Sequence, residues 1–381
     1  VTTNAERGGL YLHLPFCPYI CPYCDFAKWP WRTAAAERYL HALEAEIEAA
    51  PEFAAQTIYF GGGTPNTYPP EAIASLVERS RKRFNVLPGA EISTELNPDL
   101  ALCEGFALYR RAGITRLSIG VQSLAASELQ TLGRRHSPAD VAEVVSRARH
   151  SGFDNVSLDL IFGLPGQSVE SWGRSLDAAL ALEPEHLSTY GLTVESGTPY
   201  AAWQRRDPAA FASQDLEAEL YALAIDRLSA AGYEHYEISN FARPGFRSAH
   251  NANYWANGAY LGIGVGAASH LAGARATHTR DLKAYAQAAL GGGPIPGEIE
   301  RLQGAARAGE ATMLALRTVE GVEIGPFAER YGIDFLSFYA LPVAEMNEAG
   351  MLEVTPTHVR LSRRGRFLAN AVCAAFLAAA D

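Results

Sequence analysis

The sequence predicts an α/β protein: an open, partial barrel of six β/α units, followed by a small α-rich unit. Three observations lead there. From residue 10 to about 195, short β-branched and aromatic runs alternate with longer stretches of helical period, as parallel β/α units do. The stretches between these runs carry recognisable helix ends. A closed eight-unit barrel would need more strands than the six the chain offers.

The strand candidates are Leu10–Phe16, Thr57–Phe60, Glu91–Glu95, Arg116–Val121, Val156–Phe162 and His186–Leu192. Between them, Thr33 is the expected N-cap of an Ala/Glu-rich helix, and Pro70 falls in a first turn. Gly113 follows a last turn, and Ser137-Pro138 opens a helix closed by Gly152. Gln214–Ala231, ended by Gly232, reads as a further helix, and His235–Ser239 as one more strand. Residues 1–240 are therefore assigned to the barrel and a connecting helix. The segment 241–290 is rich in Gly, Asn and aromatic residues without clear period, and is expected to be loop structure over the barrel mouth. Gly291-Gly292-Gly293-Pro294 is the expected linker, and 291–381 the C-terminal unit. There, helices around Ala305–Thr318, Pro326–Tyr331 and Leu341–Ala349 precede a hairpin over Met351–Leu361 and a last helix to Ala379. That order resembles a winged helix, and Arg360, Arg363, Arg364 and Arg366 form its one dense basic patch.

The 381 residues, 48% hydrophobic with 19% charged, can bury a core and suit two domains. The longest apolar run, Ala371–Ala380, is far below the ~20 residues that span a bilayer. The first apolar patch is broken by His13 and Pro15, unlike a secretory signal, so the cytoplasm is the expected location. A net charge of −10 argues against nucleic acid as a partner. Of five cysteines, Cys17, Cys21 and Cys24 lie within eight residues, a pattern of metal ligands and not of disulfides.

Three thiolates on so short a loop, directly after the first strand, can each hold one iron of a cubane and leave a fourth iron open to a chelating ligand. A structural zinc would want a fourth ligand, and His13 on the adjoining strand is the nearest candidate. Further polar residues fall at successive strand ends, where a barrel gathers its functional groups. Gly61-Gly62-Gly63-Thr64-Pro65 follows the second strand and lets the backbone approach a polar ligand. Glu95 ends the third strand, Gln122 the fourth, and Asp159 lies in the fifth. Arg134 could pair with a ligand carboxylate, with Arg135 or His136 as the alternatives.

The C-x3-C-x2-C spacing of Cys17, Cys21 and Cys24 resembles the signature of the radical S-adenosylmethionine superfamily. From Tyr11 to about Phe376 the chain resembles the branch containing oxygen-independent coproporphyrinogen III oxidase and its haem-chaperone relative. The resemblance implies a 4Fe-4S cluster with S-adenosylmethionine on its open iron. It further implies ligand contacts at Tyr11, Tyr23, Gly62, Gly63, Thr64, Glu95, Gln122, Arg134 and Asp159. Where the oxidase carries a further Cys two residues after the third, this chain has Phe26, and the oxidase's N-terminal arm has no counterpart. Tyr236–Ala242 and His250-Asn251-Ala252-Asn253-Tyr254-Trp255 are similar to motifs of the chaperone branch.

Two functions follow from that resemblance. One is a chaperone that binds haem and passes it to acceptor proteins, those of the respiratory chain among them, with a homodimer as a compatible state. The other is a radical enzyme that decarboxylates the propionates of coproporphyrinogen III. For haem, His250 is the expected iron ligand and Tyr254 with Trp255 a flat wall; His13, His136 and His270 are the alternative ligands. Cys103 and Cys373 are expected to be buried small hydrophobes.

Overall fold

The computed structural model describes residues 6–99 and 104–379; Cys103 lies outside them. Six strands in chain order form the parallel series: β1 Glu6–Leu14, β2 Phe53–Gly62, β3 Asn85–Leu96, β4 Arg116–Gln122, β5 Val156–Phe162 and β6 His186–Gly191. They lie side by side in that order within a twelve-stranded open sheet. The expected six β/α units are therefore present, most strands running a few residues beyond their expected bounds.

Strand composition explains why the sheet can surround a polar lumen. Side chains alternate faces along a strand. Leu10, Leu12, Ile58, Phe60, Leu117, Ile119, Leu158 and Leu160 are fully buried and belong to the main apolar core, as do the helix residues Leu43, Leu76, Val144 and Leu176. The opposite parity carries Tyr11, His13, Tyr59, Glu95, Arg116, Ser118, Ser157, Asp159, His186 and Ser188. Register places these in rows: Tyr11 beside Tyr59, Glu95 beside Ser118, and Asp159 beside Ser188.

Helix ends follow local chemistry. Ser137 caps Pro138–His150 in a capping box with Asp140, and Gly113 adopts a left-handed φ of 96° after Phe106–Ala112. Thr33 is not a cap; Arg32 holds that position without a side-chain bond, and Thr33 is the first helical residue.

The segment 241–290 departs from expectation. Instead of a loop over the mouth, Ala259–Ile263 pairs parallel to β1 on its free side. Ala268–Leu271 and Ala274–His278 then extend the sheet antiparallel. The expected strand over 235–239 is a turn between Glu234–His235 and Asn240–Ala242, and the latter pairs antiparallel with β6. The linker also lies later than Gly291, because Gly297–Glu300 still pairs with Ala274–His278. Short strands with many Gly and polar residues lack the periodicity that marks the barrel strands, which hides them in the sequence.

The C-terminal unit, from the helix Gly304–Ala315 onward, has its own core around Leu316, Phe335, Tyr339, Val359 and Phe376, with Cys373 buried in it as expected. The hairpin Leu352–Val354/His358–Leu361 forms as expected, and Val322–Glu323 adds a third strand. Its basic patch is largely spent internally: Arg360 pairs with Glu353, Arg363 with Asp226 of the barrel, and Arg366 approaches His235. Tyr236–Ser239 ties the two units, with Ile238 N–H donating to Arg317 O and Val319 N–H to Tyr236 O.

Gly8 shows how tightly the added strand docks: a Cβ there would lie 1.8 Å from Ala259 O. Gly8→Ala should lower stability by about 1–3 kcal/mol through overpacking, measured as a fall in the urea midpoint. An unchanged midpoint would show that Ala259–Ile263 does not pair with β1.

Candidate functional site

The cysteine loop leaves the barrel at Pro15 and is clamped at both flanks. Phe16–Cys17 pairs parallel with Trp29–Pro30, so Trp29 N–H donates to Pro15 O at 2.9 Å and Trp31 N–H to Cys17 O at 2.8 Å. His13 Nε2 bonds Ala27 O at 2.7 Å, and Lys28 Nζ donates to Cys24 O at 2.5 Å. Cys17, Cys21 and Cys24 thereby come to line one cavity of about 350 Å³ at the C-terminal ends of the strands.

Whether these thiols suit a cluster is decided by their surroundings. Burial pushes the Cys17 thiol up to about 11, even though the Thr64 hydroxyl bonds it, and burial raises Cys24 as well. Thiolates here need a cation, and iron supplies one. Arg134 Nη1 approaches Cys21 Sγ at 3.7 Å, adding a positive charge where a cluster's sulfur ligands would lie. Among the described residues no group of three or more His, Cys, Asp or Glu is gathered about a single metal ion. The three thiols line one cavity from one short loop, an arrangement in which each can bind a different iron of a cubane.

The same cavity is lined by Tyr23, Gly62, Gly63, Thr64, Glu95, Gln122, Arg134 and Asp159, so nearly all the expected contact residues are brought together. Tyr11 lies in an adjoining cavity, which shares Gly62, Glu95 and Phe26 with the first, and its hydroxyl bonds His13 Nδ1 at 3.0 Å. Glu95 accepts from Gly62 N–H and from Tyr59 O–H, both at 3.0 Å. A carboxylate has about four lone-pair sites, so acceptor capacity remains for an ammonium group. Burial, reinforced by Asp159, raises its carboxyl to about 7. Asp159 accepts from Ser118 at 2.9 Å and Ser157 at 3.3 Å, and burial raises it too.

Gln122 sits at φ 67°, a left-handed conformation that costs a non-glycine residue about 1–3 kcal/mol. The strand shifts register there, turning this residue out of the ladder at the cavity wall. The glycines have a tighter role than expected. A Cβ at Gly62, whose φ is 103°, would lie 2.2 Å from the His13 ring, and one at Gly63 would lie 2.5 Å from Leu14 O. The chain's own packing therefore requires them.

Arg134 is partly committed. Its Nη2 donates to Gly120 O at 2.7 Å and Asn97 Oδ1 at 2.9 Å, while Nε is buried without a partner. The alternatives recede: Arg135 stacks over Tyr19 and His136 bonds Val121 O.

His250 requires a correction. It is 1% exposed inside the barrel, behind Tyr59, with Nδ1 bonded to Thr57 Oγ1 at 2.7 Å and Nε2 to Tyr254 Oη at 2.9 Å. Its ring stacks on Tyr59, and burial with nearby Arg116 lowers it to about 3. Both nitrogens are thus occupied by side chains of this chain, and neither faces an open space. Tyr254 faces the second cavity, and Trp255 Nε1 is buried without a partner; the two do not form an open wall around His250.

Arg116, Tyr59, Ser118, Ser188, Asn97 and Asn251 are site residues that the sequence analysis passed over. For Tyr59, Arg116, Ser118 and Ser188 the signal is the recurrence of polar residues at every second position of otherwise apolar strands; Asn97 follows the third strand and Asn251 lies on a short helix, and neither carries such a pattern.

Replacing Cys17, Cys21 and Cys24 together with Ser should abolish most iron and sulfide uptake on anaerobic reconstitution; equal content in the variant would refute the cluster assignment. S-adenosylmethionine should bind more tightly as pH rises through about 7, because its ammonium favours ionised Glu95. Titration calorimetry should show a proton released on binding, a flat profile for Glu95→Gln, and about 10–100-fold weaker binding for Glu95→Ala.

Residues 11–179 match the Radical SAM superfamily and residues 302–368 the HemN C-terminal domain. The chain is 35% identical to heme chaperone HemW of Bacillus subtilis over 96% of this chain and 98% of that one. It is 39% identical to heme chaperone HemW of Mycobacterium tuberculosis over 96% and 93%. The structure of coproporphyrinogen III oxidase (HemN) from Escherichia coli, a radical SAM enzyme, aligns over 97% of this chain and 90% of its own, with a TM-score of 0.83 and 26% identity. Identity of this extent, together with three thiols at the mouth of an open six-unit barrel, establishes that the chain belongs to the HemW family of the radical SAM superfamily.

Proposed function

We propose that this protein is a haem chaperone that keeps a 4Fe-4S cluster with S-adenosylmethionine and delivers haem to acceptor proteins. The carrying observation is the identity to heme chaperones along nearly the whole chain, both units included. Superfamily membership implies the cluster and S-adenosylmethionine. Cys17, Cys21 and Cys24 would hold the cluster, and Glu95, Gln122, Asp159 and Arg134 would orient the nucleoside ligand. The cluster supplies redox chemistry when bound.

The mouth fits a flat apolar ligand. Phe26 is 66% exposed there, and Ile20 and Tyr190 are also exposed at its lining. A single exposed aromatic is ordinary, but three apolar side chains lining one cavity give contact area that a porphyrin face can cover. Haem held at this rim is independent of His250, whose place is structural. Among the described residues no helix is long and apolar enough to cross a membrane.

The second reading, coproporphyrinogen III oxidation, draws on the structural likeness to the E. coli enzyme. Haemin should give a Soret band with wild type and with the triple Cys→Ser variant, while the reconstituted protein leaves coproporphyrinogen III unchanged under excess S-adenosylmethionine and reductant. Porphyrinogen turnover would transfer the assignment to the oxidase. His250→Ala should keep the Soret band and lose about 2–4 kcal/mol of stability, since it removes a buried ring and orphans Thr57. Loss of the band in a variant that remains folded would restore His250 as a ligand.

A further inference from the structure

Arg116 is 2% exposed and lines the cavity from β4, one inward position below Ser118 and Glu95. Its Nε is buried without a hydrogen-bond partner, and the guanidinium donates to none of the described residues. A guanidinium has five N–H donors, and leaving such a group dry and unpaired inside a protein is costly. The neighbouring groups do not satisfy it. Asp159 bonds Ser118 and Ser157, Glu91 accepts from the Ala249 and His250 backbone, and His250 and His186 bond Thr57, Ser157 and two tyrosines. Asn251 and Ser188 line the same wall.

We propose that Arg116 is the floor of a carboxylate subsite at the deep end of the cavity, taking the acid group of a ligand whose body lies above it, beside Glu95. The planar fork of guanidinium matches a carboxylate with two parallel bonds. A doubly charged phosphate is disfavoured, because Asp159 already places one negative charge nearby. Two residues along a strand span about 7 Å, so a short flexible arm reaches from the level of Glu95 to Arg116. A propionate of a tetrapyrrole offers such an arm; the carboxylate of S-adenosylmethionine shares a carbon with its ammonium and reaches Arg116 only if that ammonium leaves Glu95, so it is the second outcome of the test. The subsite rests on Arg116 and stands apart from the chaperone reading.

Reconstituted wild type, Arg116→Gln and Arg116→Lys are titrated with S-adenosylmethionine and its decarboxylated analogue, and with haemin and its dimethyl ester. One acid should bind about 10–100-fold more weakly to Arg116→Gln, less so to Arg116→Lys, while its carboxylate-free counterpart binds all three proteins alike. A response to S-adenosylmethionine assigns the subsite to its amino-acid end, and a response to haemin assigns it to a propionate. Should Arg116→Gln not fold, the loss of acid affinity in Arg116→Lys decides. The subsite is overturned if both acids keep their affinity in the variants, or if wild type binds each acid no better than its carboxylate-free form. Absence of any Soret change with either haemin form would defeat the chaperone reading and leave the S-adenosylmethionine arm to judge Arg116.

Discussion

The structure depends on one constraint: a parallel sheet, apolar on its outer face, encloses a lumen built from charged and hydroxylated side chains. Every second strand residue faces inward, so each buried polar group must find a partner across the lumen or along its own row. Asp159 does so through serines on β4 and β5, and Glu95 through Tyr59 and the Gly62 amide. His186 joins Ser157 to Tyr236, and His250 joins Thr57 to Tyr254. The two histidines and their tyrosines complete the lower lumen with neutral groups. Arg116 Nε, like Arg134 Nε and Ser93 Oγ, has no such partner, and a guanidinium left open in this network is informative about what enters it.

The cysteine loop is the second consequence of this arrangement. It carries no regular structure beyond its paired flanks, yet its position is set by buried groups. Tyr39 Oη donates to His13 O at 2.7 Å and accepts from Val265 N–H, joining the first helix to β1 and to the added strand. Glu46, on that helix, accepts from Gly264 N–H at 2.9 Å and from Tyr285 Oη at 2.5 Å. His13 passes this rigidity to Ala27 at the end of the loop. The segment after residue 256 thus acts on the site by supporting β1 and, through Arg280, by bonding Asp25 of the cysteine loop.

The parts of this molecule legible in its sequence are those with strong periodicity or dense local chemistry. Val156–Phe162 is apolar enough to be placed to the residue, and the three cysteines announce their site by spacing alone. The strands beyond residue 240 were hidden, because runs of three to five residues with glycine and alanine carry neither period nor β-branched enrichment. The His-Asn-x-x-Tyr-Trp run misled for a different reason. Its residue types suit a porphyrin, but whether an imidazole is a ligand or a brace depends on what faces its nitrogens, and here Thr57 lies 193 residues away in sequence. The Tyr236–Ala242 motif resolves similarly, into the joint between barrel and C-terminal unit.

Charge illustrates the same distinction between global and local properties. The chain has a net charge of −10, which describes its long-range field. Fields from exposed charges fade over about 8 Å at physiological ionic strength, so they do not set conditions inside the mouth. There the cations are placed individually: Arg134 against Cys21, Lys28 on the Cys24 carbonyl, and Arg280 across Asp25 and its backbone. These offset the negative charge that three thiolates concentrate on eight residues. Arg116, deeper in the cavity, extends the sequence of positive groups inward. Glu95 and Asp159 face the same cavity as Arg116, Arg134 and Lys28, so the field that a ligand meets between Phe26, Ile20 and Tyr190 is set by these few placed groups and not by the sum of the chain's charges.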